Sequence, residues 1–217
     1  MEEALVRALN QSLERFVSPL ESDCAPDKRA VVNELAFALF DQYIRTGRPG
    51  NFDPLTSVRA VLDPVVDFIQ RMRPKSTREQ LSPTPVEEHE SVELFHRLSQ
   101  FFDDVLRQGE TLTRPRFPGC GWLSDCDGDV LVDQTLYEVK AGDREVRAID
   151  LRQILIYCAL NHASRSYQID YVGIVNPRLG LFFELELEQL SAQISGRSAS
   201  RLLEDIVAFM SAEPNSR

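Results

Sequence analysis

"GDVLVDQTLYEVKAG", residues 128–142, reads as two short strands on either side of Asp133-Gln134, with acids at Asp129, Asp133 and Glu138 beside a single Lys140. Two strand-like runs with a two-residue break between them are the mark of a tight hairpin. With Asp133-Gln134 as the turn, Val132 faces Thr135, Leu131 faces Leu136, Val130 faces Tyr137 and Asp129 faces Glu138. Successive side chains point to opposite faces, so Asp129, Leu131, Leu136, Glu138 and Lys140 share one of them. Two carboxylates directly across a ladder, their Cβ atoms about 5 Å apart, destabilise it unless a cation sits between them.

Two readings of this face are open. One is a solvated face of an edge hairpin, which accounts for most charged alternation on sheets. The other is a hard-cation site. Asp129 and Glu138 would offer oxygens to Mg2+ or Mn2+, and Lys140 would orient a water and stabilise charge on a phosphate.

The elements around the hairpin set its context. Before it, residues 87–107 carry Leu94, Phe95, Leu98, Phe101, Phe102 and Val105 in a helical stripe, and Gly109 is placed to end that helix. Strands are expected near 111–117, 128–132 and 135–141, then a helix at 150–161 with Asp150 as its cap. Strands 169–175 and 181–187 flank the turn "NPRLG", with "ELELEQL" at 184–190 read as an alternating strand, and a last helix covers 198–211. The order α-β-β-β-α-β-β-α makes the class α/β, mixed α+β: a central mixed sheet flanked by helices.

The first third of the chain reads as helical. Leu5, Val6, Leu9, Leu13 and Phe16 stripe residues 2–17; Val31, Val32, Leu35, Leu39 and Tyr43 stripe 28–46, with Asp27 as cap. Val58, Val61, Leu62, Val65, Val66 and Ile69 stripe 55–73, where Pro64 is expected to bend or interrupt the helix. The Pro-, Ser- and Thr-rich stretch "RPKSTREQLSPTPVEE", 73–88, then divides the chain into a helical region 1–75, a linker 76–86 and an α/β domain 87–217.

Composition limits the partners. A net charge of −10 and a pI near 4.9 argue against holding nucleic acid by bulk electrostatics alone. They leave room for acids that hold a metal, or for basic surface borrowed from a partner. The start Met1-Glu2-Glu3 does not resemble a signal peptide, and no apolar run approaches the ~18–20 residues of a membrane span. A cytoplasmic protein without membrane contact is expected. Cys24, Cys120, Cys126 and Cys158 are scattered, as reduced thiols would be.

The helix after the hairpin favours the cation site. "DLRQILIY" places Gln153 and Tyr157 four residues apart, on one helix face. Asp129, Glu138-Val139-Lys140 and Gln153-x-x-x-Tyr157 together resemble the PD-(D/E)XK nuclease superfamily, its RecB-like branch in particular, over roughly residues 87–190. The resemblance implies a restriction-endonuclease-like core of helix, three strands, helix and strand. It makes Asp129 and Glu138 ligands of Mg2+ or Mn2+, Lys140 the catalytic lysine, and Gln153 and Tyr157 supports of the site and of the substrate strand. The family's proline before the aspartate is absent, since Gly128 stands there. Asp127 is the rival first aspartate.

The family often adds an acid or a histidine from the preceding helix. Glu90, Glu93 and His96 are the candidates; Glu90, on the flank of the stripe, is preferred as third metal ligand. Arg144, Arg147, Arg152 and Arg178 could meet phosphates, although ordinary surface pairing in a chain with excess acid is the better explanation for any single one. The expected activity is metal-dependent hydrolysis of DNA phosphodiester bonds within a bacterial antiphage-defence or DNA-processing complex. A partner would supply basic surface, a motor or a trigger, and residues 1–75 would dock it or form a homodimer. The competing expectation is a scaffold subunit that keeps the nuclease fold and cuts nothing.

Overall fold

The computed structural model describes residues 2–22, 24–105 and 109–212, without the side chains of Glu2, Asp104 and Val105. Of the helix expected at 87–107, residues 106–107 and the side chain of Val105 lie outside the described residues, as do 213–217; the α-helix ends at Gln100, and Phe101–Val105 follow as a π-helical turn. The chain divides into two compact units. A sheet unit takes Met1–Arg15, Gly109–Asn176 and Leu181–Arg217; a helical unit takes Phe16–Gln108 and Pro177–Gly180.

The strands are β1 (Glu14–Arg15), β2 (Thr111–Thr113), β3 (Arg116–Phe117), β4 (Cys126–Asp127), β5 (Val130–Val132), β6 (Thr135–Val139), β7 (Tyr171–Asn176) and β8 (Leu181–Glu186). Six of them form a mixed sheet in the order β1-β8-β7-β6-β5-β2, and β3 and β4 pair as a separate ribbon. The hairpin has the register expected: Val130 opposite Tyr137, Leu131 opposite Leu136, Val132 opposite Thr135. Its turn holds Asp133 at φ 50°, a left-handed conformation that aspartate tolerates better than most residues. Among the named strand pairs only β6 and β7 run parallel. A parallel pair needs a long crossover, and helix α6 (Ala148–Ser164) supplies it.

That crossover positions the site. Leu131, Leu136, Val172, Ile174 and Phe183 of the sheet bury against Leu151, Ile154, Leu155 and Cys158 of α6 in one core. Glu138 and Lys140 continue the same face of β6 beyond Leu136, so they come out under the first turns of α6. On the opposite face Gly173 lies across from Tyr137, and any Cβ there would stand 2.6 Å from the tyrosine ring.

Several expectations are corrected. Helix α1 is shorter than 2–17: it ends at Gln11, and the chain turns at Ser12 so that Glu14 and Arg15 pair with β8. Helix α2 (Arg29–Arg45) is preceded by Lys28 rather than capped by Asp27. Helix α3 (Pro54–Met72) starts on Asp53 and continues through Pro64, whose position is exposed, so the carbonyl it deprives of a partner can meet water. The stretch 111–117 is two strands, broken at Arg114 with φ 52°. Asp150 is not the cap of α6 but its third residue, accepting from the Arg147 N–H at 2.8 Å. "ELELEQL" leaves the sheet at Glu186, after which α7 (Leu187–Ser195) buries Leu187, Leu190 and Ser191 and stops at left-handed Gly196. Helix α8 (Ala199–Ser211) follows as expected.

The stretch 76–86 does not separate the units. Helix α4 (Arg78–Leu81) forms there, closed by a reciprocal Thr77–Gln80 capping box. Leu81 is buried with Val31, Leu35, Val65, Val66 and Ile69. Helix α5 (Pro85–Gln100), with its own Thr84–Glu87 box, therefore belongs with α2 and α3, while α1 belongs to the sheet unit. All four cysteines are free thiols. No described helix is long and apolar enough to cross a membrane.

Candidate metal centre

Where β5 begins, Asp129 is half-buried beside the β6 backbone, and its Oδ2 accepts from the Val139 N–H at 2.8 Å. Glu138, on β6, is 3% exposed. Burial first, and then the Asp129 carboxylate, push its carboxyl up to about 8, with Lys140 opposing. Burial also raises Asp129, against the pull of the Val139 N–H, Lys140 and Arg114. The pair thus has the like-charge strain that its register implies.

Lys140 relieves part of it. Its Nζ donates to Glu138 Oε1 at 2.7 Å and to Gln153 Oε1 at 2.9 Å. The Gln153 amide nitrogen donates in turn to the Tyr157 hydroxyl at 2.7 Å, which fixes which end of the amide faces the lysine. The Tyr157 ring stacks on Phe117 of β3, centroids 5.5 Å apart and 18° from parallel. Such a contact contributes roughly 0.5–1.5 kcal/mol beyond burial and holds the chain of bonds from its far end. The five residues expected at the site, Asp129, Glu138, Lys140, Gln153 and Tyr157, are therefore brought together, all in the sheet unit.

One atom is left over. Glu138 Oε2 is buried and accepts no N–H or hydroxyl hydrogen bond; the Asp129 carboxyl stands within hydrogen-bond reach of Glu138, so a proton shared by the two acids is the alternative to a cation. A buried carboxylate oxygen without a donor costs about 1–3 kcal/mol or more, and a hard cation is a natural partner for it. Mg2+ is commonly held by one or two carboxylates, with waters and substrate phosphates filling its shell. Asp129 and Glu138 fit that requirement.

The expected third ligand does not join them. Among the described residues no group of three or more His, Cys, Asp or Glu side chains gathers to hold a metal. In the helical unit, Glu90 accepts from Arg178 at 2.6 Å through Oε1 and from the Ser22 hydroxyl at 2.6 Å through Oε2. Glu93 pairs with Arg97 at 3.0 Å, and His96 is exposed beside Phe95. Asp127, the rival aspartate, is exposed on β4.

The expected phosphate contacts divide. Arg178 is 2% exposed and bound to Glu90 and Asn33, so it pins the Pro177–Gly180 turn rather than meeting a substrate. Arg144 lies bidentate on Asp150, at 2.6 and 2.8 Å. Arg147 and Arg152 are exposed. Sequence reasoning missed Phe117, whose alternation signal was lost in a two-residue strand, and missed Asp150 as a neighbour of Lys140, reading it as a cap. Comparison of the chain with protein-family models, curated proteins and solved structures found no match.

Proposed function

We propose that the chain is a Mg2+- or Mn2+-dependent nuclease of the PD-(D/E)XK type, with a restriction-endonuclease-like core, that hydrolyses DNA phosphodiester bonds. The observation that carries this reading is the Lys140 ammonium, clamped between Glu138 Oε1 and Gln153 Oε1 beside a buried Glu138 oxygen that lacks any N–H or hydroxyl donor. An edge hairpin wetted by solvent needs neither the clamp nor the orphaned oxygen. A divalent cation held by Asp129 and Glu138 would polarise the phosphate and neutralise the charge that develops on it. Lys140 orients the attacking water and donates to a phosphate oxygen as negative charge builds there. Gln153 keeps the ammonium aimed, and Tyr157 keeps Gln153 from turning over. With a net charge of −10, the chain works as a subunit of a bacterial antiphage-defence or DNA-processing complex whose partner brings the basic surface.

The test is cleavage of single-stranded, double-stranded and circular DNA, with Mg2+ and with EDTA. Lys140→Ala and Asp129→Ala are each expected to lower cleavage by about a thousandfold, the scale of removing one preorganised electrostatic group. Undiminished cleavage by both purified variants overturns the site. The second reading, a nuclease-fold scaffold, is favoured because among the described residues no third metal-ligating side chain joins Asp129 and Glu138. Mn2+ calorimetry on wild type and Glu138→Gln separates the two: equal isotherms favour the scaffold.

A further inference from the structure

Asp150 raises a question that the cleavage chemistry does not answer. It is a carboxylate, 2% exposed, at the start of the helix that carries Gln153 and Tyr157. Its two oxygens are used unequally. Oδ2 accepts from Arg144 at 2.6 Å and from the Arg147 N–H at 2.8 Å. Oδ1 accepts only from Arg144, at 2.8 Å, and it is this oxygen that stands 3.9 Å from Lys140 Nζ. An ammonium has three donors, and two of those on Lys140 are spent on Glu138 and Gln153. The third has Asp150 Oδ1 as its nearest remaining carboxylate, one short movement beyond hydrogen-bond length.

Lys140 is itself the cation on Glu138 in this arrangement. A divalent ion on the same carboxylate repels the ammonium, which must then move while remaining close enough to serve the phosphate. We infer that Asp150 is a positioning residue for Lys140, the carboxylate to which the ammonium shifts when Asp129 and Glu138 take up a divalent cation. Gln153 Oε1, bonded to the ammonium already, is the pivot of that shift, and the Arg147 N–H, bonded to Asp150 Oδ2, holds the receiving carboxylate in place. Arg144 sets how strongly Asp150 competes, because it shares Oδ1 with the lysine.

The inference rests on Asp129 and Glu138 being the cation-binding pair, and its test separates the two claims. Mn2+ alone is titrated calorimetrically into wild type, Glu138→Gln, Asp150→Asn and Arg144→Gln, with thermal unfolding of each. Asp150→Asn removes the receiving charge and is expected to weaken Mn2+ binding about tenfold, the effect of one unit charge several ångströms away in a partly screened site. Arg144→Gln leaves Asp150 more fully to Lys140, so Mn2+ binds as tightly as in wild type or more tightly. A carboxylate that merely fastens the helix behaves otherwise. The Mn2+ affinities of both variants then move in the same direction, which overturns the inference while a wild-type difference from Glu138→Gln keeps the cation pair. Equal isotherms for wild type and Glu138→Gln remove the pair and the inference with it. If Asp150→Asn does not fold, Arg144→Gln decides alone: weakened binding refutes the shift.

Discussion

The two units each set a cation on a buried glutamate, and they do it in opposite ways. In the helical unit Arg178 and Glu90 are both nearly sealed; Glu90 spends one oxygen on Arg178 and the other on Ser22, while Arg178 reaches Asn33 as well. In the sheet unit Glu138 is as deeply buried, yet one of its oxygens has no N–H or hydroxyl donor and its neighbour is another carboxylate. A buried pair in which each carboxylate oxygen has a donor is a fastening. An unsaturated one keeps a free energy of interaction in reserve for something absent from the chain. Equal burial and equal residue types therefore carry opposite meanings, and hydrogen-bond saturation tells them apart.

Removing each glutamate's charge breaks the comparison most sharply. Glu90→Gln strands the buried Arg178 guanidinium and is expected to cost about 3–5 kcal/mol of stability. Glu138→Gln takes away a like-charge repulsion along with the Lys140 bond, and unfolding should shift by about 1 kcal/mol or less in either direction. Its loss should appear in Mn2+ binding and cleavage instead. Denaturant unfolding measures both, and a Glu138→Gln penalty as large as that of Glu90→Gln would make the sheet-unit glutamate a fastening too.

A smaller effect tests Asp150, which shares features of both sites. Burial alone would raise its carboxyl; the bonds from Arg144 and the Arg147 N–H, with the Lys140 charge behind them, outweigh burial and hold it below the usual carboxylate range. A folded value below the unfolded one stabilises fully above the ordinary carboxylate range, and that contribution is lost as pH falls through the folded value. Wild type should thus exceed Asp150→Asn by about 1–3 kcal/mol near neutrality, with the gap closing in acid. A gap that stays constant down the acid limb would mean that Asp150 acts through packing rather than charge.

The site was legible in the sequence where local rules act alone. The hairpin register follows from a two-residue turn, and the shared face of Asp129, Glu138 and Lys140 from the way successive strand side chains point to opposite faces. The Gln153–Tyr157 spacing needs only the helical period. What stayed hidden depends on contacts far apart in sequence. Glu90 sits on a helix flank, as expected of a ligand, but its partner Arg178 lies 88 residues away and no periodicity announces it. Asp150 had the residue type and place of a helix cap, and only the tertiary approach of Arg144 and Lys140 gives it another role. The fold shows the same divide. Helix α7 was hidden behind the alternation of "ELELE", although Leu187, Leu190 and Ser191 have helical spacing and Gly196 supplies a stop.

The boundary drawn at 76–86 failed for a local reason, and that reason gives the smallest test. Pro, Ser and Thr read as linker residues, but Thr77 and Thr84 each open a helix. The Thr84 hydroxyl accepts from the Glu87 N–H at 3.4 Å, while the Glu87 carboxylate returns to the Thr84 N–H at 2.7 Å. Glu87 is 8% exposed, and its Oε2 carries the return bond of the box. Thr84→Ala should cost about 1 kcal/mol, read by denaturant unfolding. Mn2+ affinity should stay at the wild-type value, because the box lies in the helical unit while Asp129, Glu138 and Lys140 lie in the sheet unit. A Thr84→Ala variant that lost Mn2+ affinity would break the division between a helical unit that fastens and a sheet unit that binds the cation.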